Sequence, residues 1–252
     1  MRFASLGSGS RGNALVVEAG RTRILLDCGF GPRELARRLA RAGLAPGDLD
    51  AILVTHEHAD HVGGVAACAR RYAIDVFLTH GTLGAAPLAD VSVEVIDGHT
   101  PFAIGDIEVL PFPVPHDARE PTQFVFADGA RQLGVLTDAG CVTPHMVEML
   151  SGCAALVIEC NHDAAMLAAG RYPPHLKRRI AGRFGHLDNA AAADLLARVD
   201  RSRLRHVVAA HLSQENNTPA LAMAALAAVL DCAPDWLAVA DQDSGCDWRQ
   251  LG

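Results

Sequence analysis

Six consecutive residues of this 252-residue chain, His56-Glu57-His58-Ala59-Asp60-His61, put three imidazoles and two carboxylates in immediate succession. Imidazole nitrogen and carboxylate oxygen are the donors taken by zinc, manganese and iron. His56 and His58 stand at i and i+2, positions that share a side in extended backbone, so both can grip one ion. Asp60 and His61, on the turn just beyond, are then expected to face a second ion close by. Gly63 and Gly64 follow, letting the backbone turn tightly into a helix. A polar surface loop that happens to be rich in histidine is the alternative. It fits poorly with a position straight after an apolar strand.

That strand is expected at Ala51–Thr55, with a helix over Val62–Arg71 behind the histidines. Upstream, Ala14–Glu18 and Arg23–Asp27 read as paired strands joined at Ala19-Gly20, and Arg33–Ala42 has helical spacing that stops at Gly43. Further strands are expected at Asp75–Thr79, Val91–Ile96, Ile107–Val114 and Gln123–Ala127. The second half repeats the scheme, with strands Gln132–Thr137, Ala155–Cys160, His206–Ala210 and Trp236–Ala240. Helices Pro144–Leu150, Asp188–Val199 and Pro219–Leu230 lie among them. No Pro/Gly/Ser linker divides the chain, so residues 1–252 are expected to form a single α/β domain of two β-rich, helix-covered halves.

Composition narrows the setting. No apolar run approaches the roughly 20 residues that cross a bilayer. The opening residues Met1–Asn13 lack the charged, apolar and small-residue succession of a secretory signal. Seven cysteines, Cys28, Cys68, Cys141, Cys153, Cys160, Cys232 and Cys246, are scattered without a C-x-x-C pair. Such a set suits reduced thiols in the cytoplasm better than a disulfide framework. The net charge is −7, yet Arg171–Arg205 holds nine basic residues against three acids. That stretch could meet a polyanion, or simply be the solvated side of two helices.

The H-x-H-x-D-H pattern resembles the metallo-β-lactamase superfamily, and companion residues appear in the order that the family requires. Asp27, closing Ile24-Leu25-Leu26-Asp27, resembles the aspartate that orients the metal loop from behind. His116 in Val114-Pro115-His116-Asp117 matches the third histidine of the first metal. Asp138 in Leu136-Thr137-Asp138 matches the bridging carboxylate, and His211 in Ala210-His211-Leu212-Ser213 the last histidine of the second metal. The resemblance implies a four-layer αβ/βα sandwich with the site along one edge. It also implies a division of ligands: His56, His58 and His116 on one divalent ion, Asp60, His61 and His211 on the other, Asp138 shared. Zinc or manganese is expected, with iron also compatible. Ions roughly 3.5–4 Å apart hold a bridging hydroxide and stabilise attacking and leaving oxygens together. The complete ligand set implies an enzyme.

The second half resembles the YycJ/WalJ group of that superfamily, which looks like a set of metal-dependent exonucleases acting on DNA from the 5′ end, with a proposed place in mismatch repair. The resemblance is carried by Leu156-Val157-Ile158-Glu159-Cys160-Asn161-His162-Asp163, by Gly170-Arg171-Tyr172-Pro173, Gly185-His186-Leu187-Asp188-Asn189 and His211-Leu212-Ser213-Gln214-Glu215-Asn216-Asn217, and by the opening Leu6-Gly7-Ser8-Gly9-Ser10-Arg11-Gly12-Asn13. Asp188 departs from the serine expected there and should cap the next helix equally well. Glu159 and His186 are similar to the glutamate–histidine pair of RNase Z, which implies His186 as general acid held charged by Glu159. Asp60 is the candidate to take a proton from the attacking water. His162 either supports the site or satisfies a loop. Ser8, Ser10 and Asn13 either meet phosphate or form a turn beneath the metal loop. Nucleic acid, DNA before RNA, is the expected partner, carried past the site by the basic stretch. A small-molecule ester, thioester or cyclic-phosphodiester hydrolase and a diiron redox enzyme share the same ligands and remain alternatives; a non-catalytic DNA-associated subunit fits the intact ligand set poorly.

Overall fold

The computed structural model describes residues 1–230 and 236–252. Of the cysteines named above, Cys232 lies outside the described residues. In the first half, strands β1 (Arg2–Gly7), β2 (Ala14–Ala19) and β3 (Thr22–Leu26) precede helix α1 (Pro32–Arg41). Strand β4 (Ala51–Leu53) leads into helices α2 (Ala59–Val62) and α3 (Val65–Tyr72), then β5 (Asp75–Thr79), α4 (His80–Ala85) and β6 (Val93–Ile96). The second half opens with the antiparallel strands β7 (Phe102–Ile104), β8 (Ile107–Pro113) and β9 (Thr122–Ala127). It continues through β10 (Gln132–Leu136), α5 (Pro144–Leu150), β11 (Ala155–Glu159), α6 (Ala164–Ala169), α7 (Pro174–Ile180) and α8 (Asn189–Arg198). Last come β12 (His206–Ala210), α9 (Pro219–Leu230), β13 (Leu237–Val239) and β14 (Cys246–Gln250).

The strands form two seven-stranded sheets, ordered β14-β1-β2-β3-β4-β5-β6 and β13-β12-β11-β10-β9-β8-β7. In each sheet one run is parallel, β3 to β6 in the first and β10 to β13 in the second. Parallel strands need crossovers, which here are the helices that cover the outer faces. Side-chain alternation divides the layers. Ile24 and Leu26 of β3, with Leu133 and Val135 of β10, point between the sheets, joined by Phe124, Phe126 and Val157. Leu25 of β3 faces the helices with Leu35 and Leu39 of α1. Leu156 and Ile158 of β11 face Leu195 and Leu196 of α8. The result is the four-layer αβ/βα sandwich, with apolar strands buried on both faces.

Helix starts follow capping chemistry. Pro144 and Asn189 open helices behind Thr143 and Asp188, whose side chains accept from the Met146 and Ala191 amides. Asp188 therefore caps as its position suggested. Several expectations need correction. The strand before the histidines ends at Leu53, so His56 and His58 lie in the loop beyond it. The helix expected over Val62–Arg71 is two helices, with Asp60 and His61 on the short first one. Gly63 and Gly64 have negative φ, so no left-handed turn calls for them. What Gly64 supplies is closeness, because a Cβ there would strike the Phe30 carbonyl. Strands β1, β7 and β14 and helices α4, α6 and α7 had no counterpart in the sequence reading. Among the described residues no helix is long and apolar enough to cross a membrane.

Candidate metal centre

Strand ends bring the site together. Asp27 follows β3, His56 lies beyond β4, His116 beyond β8, Asp138 beyond β10, Glu159 closes β11 and His211 follows β12. Crevices outside the carboxyl ends of strands are where such sheets hold ligands. Asp27 and His211 adopt left-handed backbone, with φ of 59° and 54°. For non-glycine residues that conformation costs about 1–3 kcal/mol and persists only where the surroundings enforce it. Both residues are buried, and both are held by the hydrogen bonds described below.

One group comprises His56, His58 and His116. His58 Nδ1 lies 3.0 Å from His56 Nε2 and 3.2 Å from His116 Nε2. Nitrogens about 2.1 Å from a shared tetrahedral ion stand about 3.4 Å apart, so this spacing is that of a coordination site. Burial drives the His56 imidazole well below its usual range and lowers His116 as well, leaving neutral rings with lone pairs to offer. The Gly185 carbonyl accepts from His116 Nδ1 at 2.9 Å and fixes which nitrogen faces inward.

Asp60, His61 and His211 form a second group. Asp60 Oδ2 is 3.4 Å from Nε2 of both histidines. Burial opposes charge on His61, yet Asp138 and Asp27 outweigh it and hold the ring protonated. His211 behaves alike, through Asp138, Asp60 and Glu159. Protons thus occupy positions where a cation would balance the same carboxylates. Asp138 lies between the two groups, buried, with Oδ2 3.1 Å from His61 Nε2 and Oδ1 3.2 Å from His211 Nδ1. Among the described residues, its Oδ2 has no well-aligned hydrogen-bond donor, the His61 contact included. A buried carboxylate oxygen left open amid converging imidazoles fits a divalent cation.

Supporting contacts explain how the loop holds its shape. Asp27 accepts from the Thr55 amide at 2.8 Å and from His61 Nδ1 at 2.8 Å. Thr55 Oγ1 meets Asp27 at 3.0 Å and His56 Nδ1 at 2.9 Å, a role that its place just before His56 could have signalled. The Asn13 amide donates to the Asp60 carbonyl at 2.7 Å, and Ser8 Oγ accepts from the His211 amide at 2.8 Å. Of the two readings of the opening loop, the geometry favours the clamp beneath the metal loop for Ser8 and Asn13. Of the three, Ser10 alone lines the open space beside His58, Asp60 and His211.

Glu159 is fully buried and accepts four hydrogen bonds. Oε1 takes His186 Nδ1 at 2.8 Å and His211 Nδ1 at 3.1 Å; Oε2 takes the Ala139 and Leu187 amides at 2.9 and 3.1 Å. It therefore positions two histidines at once, which sequence reasoning paired with only one, and it has no face toward a substrate. Burial works against charge on His186, but Glu159 and Asp138 prevail and raise it to about 9. Its Nε2 makes no hydrogen bond to the described residues, and the ring lines a cavity of about 360 Å³ with His58, Asp60, Asp138 and His211. Asp117, beside His116, and Arg179 border the same cavity and pair at 2.6 Å. His162 is buried outside that lining and belongs to none of the metal-competent groups.

The basic stretch does not form one path. Arg203 and Arg205 line a separate depression at the amino ends of β11 and β12, the far end of the sheet from the metal groups. Arg171 pairs with Glu215, Arg198 with Asp194, and Arg201 with the Val229 carbonyl. Only the portion around α7 borders the site.

A family model described as the β-lactamase superfamily domain matches residues 22–211. Exodeoxyribonuclease YycJ of Bacillus anthracis is 37% identical over 243 residues, covering 92% of this chain and 89% of that protein. Exodeoxyribonuclease WalJ of Streptococcus pneumoniae is 32% identical over 255 residues, covering 98% and 92%. Among solved structures, the metallo-β-lactamase fold protein YhfI of Bacillus subtilis superposes with a TM-score of 0.74 at 13% identity, covering 99% of each chain. Family match, near-full-length relatives, shared fold and converging donors together make this chain a member of the metallo-β-lactamase superfamily, a hydrolase of that fold.

Proposed function

We propose that the chain is a metal-dependent nuclease that hydrolyses phosphodiesters of DNA, in preference to RNA, releasing nucleotides from the 5′ end. The observation that carries this reading is His186. Its imidazole is tied through Nδ1 to Glu159, which with Asp138 favours the charged form against burial. Its other nitrogen has no partner among the described residues and borders the metal donors. A nucleotide's leaving alkoxide must be protonated as it departs, whereas an activated ester or thioester can leave unaided. Two near-full-length relatives named as exodeoxyribonucleases support the same substrate class.

In this account His56, His58 and His116 would hold one divalent cation, Asp60, His61 and His211 the other, with Asp138 between them. Zinc, manganese or iron suits the donors. Two such ions, when bound, neutralise phosphate charge and lower the pKa of water. Asp60 orients the attacking water and accepts its proton. His61 and His211 hold its carboxylate below the ordinary range despite burial, so it serves as a relay rather than a strong base. Glu159 keeps His186 aimed and charged, and His186 delivers its proton to the leaving oxygen. Asp27 locks the loop that carries Asp60 and His61.

A cavity of about 360 Å³ also admits a small cyclic phosphodiester or ester, which keeps a small-molecule hydrolase as the second reading. The six free cysteines among the described residues support a reducing compartment, and we assign the chain to the cytoplasm. A time course on 5′-labelled DNA with manganese tests the proposal. Labelled mononucleotide as the first product supports it, while a ladder of labelled fragments refutes 5′-end action.

A further inference from the structure

Helix α7 is explained neither by the core nor by the metal donors. None of its residues is buried, although Leu176 and Ile180 stand at i and i+4 and share one face. These two, with Tyr172 from the turn before the helix, line the cavity above His58, Asp60 and His186. The cavity lining therefore combines two unlike sets of side chains. One comprises the metal donors with Asn161 and Ser213, and the other is a tyrosine ring and two aliphatic side chains. Phosphodiester hydrolysis alone uses only the polar set. At the junction, Arg179 commits Nε to Asp117 at 2.6 Å and leaves its terminal nitrogens without a partner among the described residues.

We propose that Tyr172, Leu176 and Ile180 form the base subsite for the terminal nucleotide, the tyrosine ring stacking on the base while Arg179 meets a phosphate oxygen. This assignment rests on the nuclease reading above and adds which part of the substrate the α7 side chains recognise. Every base offers a π-face, so an aromatic ring without paired donors accepts all four. The cavity volume of about 360 Å³ falls at the lower end of small-ligand pockets, which suits one nucleotide held at a time and not a continuous duplex. The turn after α7 fixes these side chains relative to the chemistry. The His186 amide donates to the Ile180 carbonyl at 2.9 Å, and the Gly185 carbonyl holds His116. Base and scissile phosphate are thereby registered through one short segment.

The test compares single-stranded oligonucleotides whose terminal nucleotide has a base with ones whose terminal nucleotide is abasic, using wild type, Tyr172→Ala and Tyr172→Phe. Stacking of one base is worth about 5- to 150-fold by alanine substitution, so the wild type should prefer the base-bearing end in kcat/KM by that factor. Tyr172→Phe should keep the preference, and Tyr172→Ala should lose it. The preference is a ratio within one preparation, so partial misfolding of a variant cancels. A second readout uses EDTA, without turnover: 2-aminopurine placed at the terminal position should be quenched on binding to wild type and Tyr172→Phe, not to Tyr172→Ala. Equal cleavage of both ends by wild type, or an unchanged preference in Tyr172→Ala, overturns the subsite while leaving the nuclease standing. No DNA cleavage at all by wild type overturns both.

Discussion

Replacing Glu159 by glutamine removes a buried charge while keeping the side chain's shape, and the four bonds that Glu159 accepts make the outcome calculable. A glutamine has one acceptor oxygen, so its amide nitrogen must face either the two imidazole donors or the two backbone amides. Two of the four bonds are lost in either orientation. Hydrogen bonds to a charged group are worth about 1.5–3 kcal/mol each and neutral ones about 0.5–1.5, so His186 and His211 either lose their bonds or keep weaker ones. Burial is the largest influence on His186 and acts against its charge; with Glu159 neutral, it is opposed only by Asp138. The sign follows. A raised imidazole is charged below its own value and loses the proton as pH climbs through it, near 9 in the metal-free protein and lower with cations bound. The variant's basic limb must therefore move to lower pH, by about one unit for each 1.4 kcal/mol of lost interaction. General acid catalysis contributes about 10²–10⁴, so kcat at neutral pH should fall at least tenfold. A pH–rate profile on labelled DNA with saturating manganese reads both effects. A basic limb at the wild-type pH, with kcat within a factor of three, would refute the positioning role of Glu159.

Other outcomes follow from the same geometry. Asp27→Asn keeps the Thr55 contacts in part but loses the charged bond to His61, and metal affinity should fall about 10–100-fold, measured by competition with a chromophoric chelator. Because His61 and His211 carry protons that a cation must displace, metal binding should release protons and tighten with rising pH through the neutral range; calorimetry in buffers of different ionisation enthalpy reads this, and pH-independent affinity would contradict it. Arg179→Ala breaks a partly exposed ion pair with Asp117, so stability should change by about 1 kcal/mol or less, while the logarithmic salt slope of DNA binding should shrink by about one.

The sequence revealed the site unevenly, for physical reasons. His56, His58, Asp60 and His61 fall within six residues, so local spacing alone exposes their chemistry. Asp27, His116, Asp138 and His211 are separated by long stretches and meet only because each follows a different strand; family resemblance, not pattern, pointed to them. Strands β3, β10 and β11 were legible as short apolar runs, because both of their faces are buried. Strand β14 was not, because its polar residues pair with β1 across nearly the whole chain. Helix α7 escaped notice because two prolines precede an apolar face of only two residues. The shared grip of Glu159 on His186 and His211 depends on side-chain directions that no spacing encodes.

The most direct measurement incubates wild type and His58→Ala with manganese, zinc or iron on a panel of single-stranded DNA, duplex DNA with 5′ phosphate, RNA, and small esters and thioesters. The expected result is metal-dependent cleavage of DNA that exceeds cleavage of RNA and is abolished in His58→Ala. Turnover of an ester or thioester with no DNA cleavage under any of the three metals would contradict it, and the metal centre would then belong to a small-molecule hydrolase.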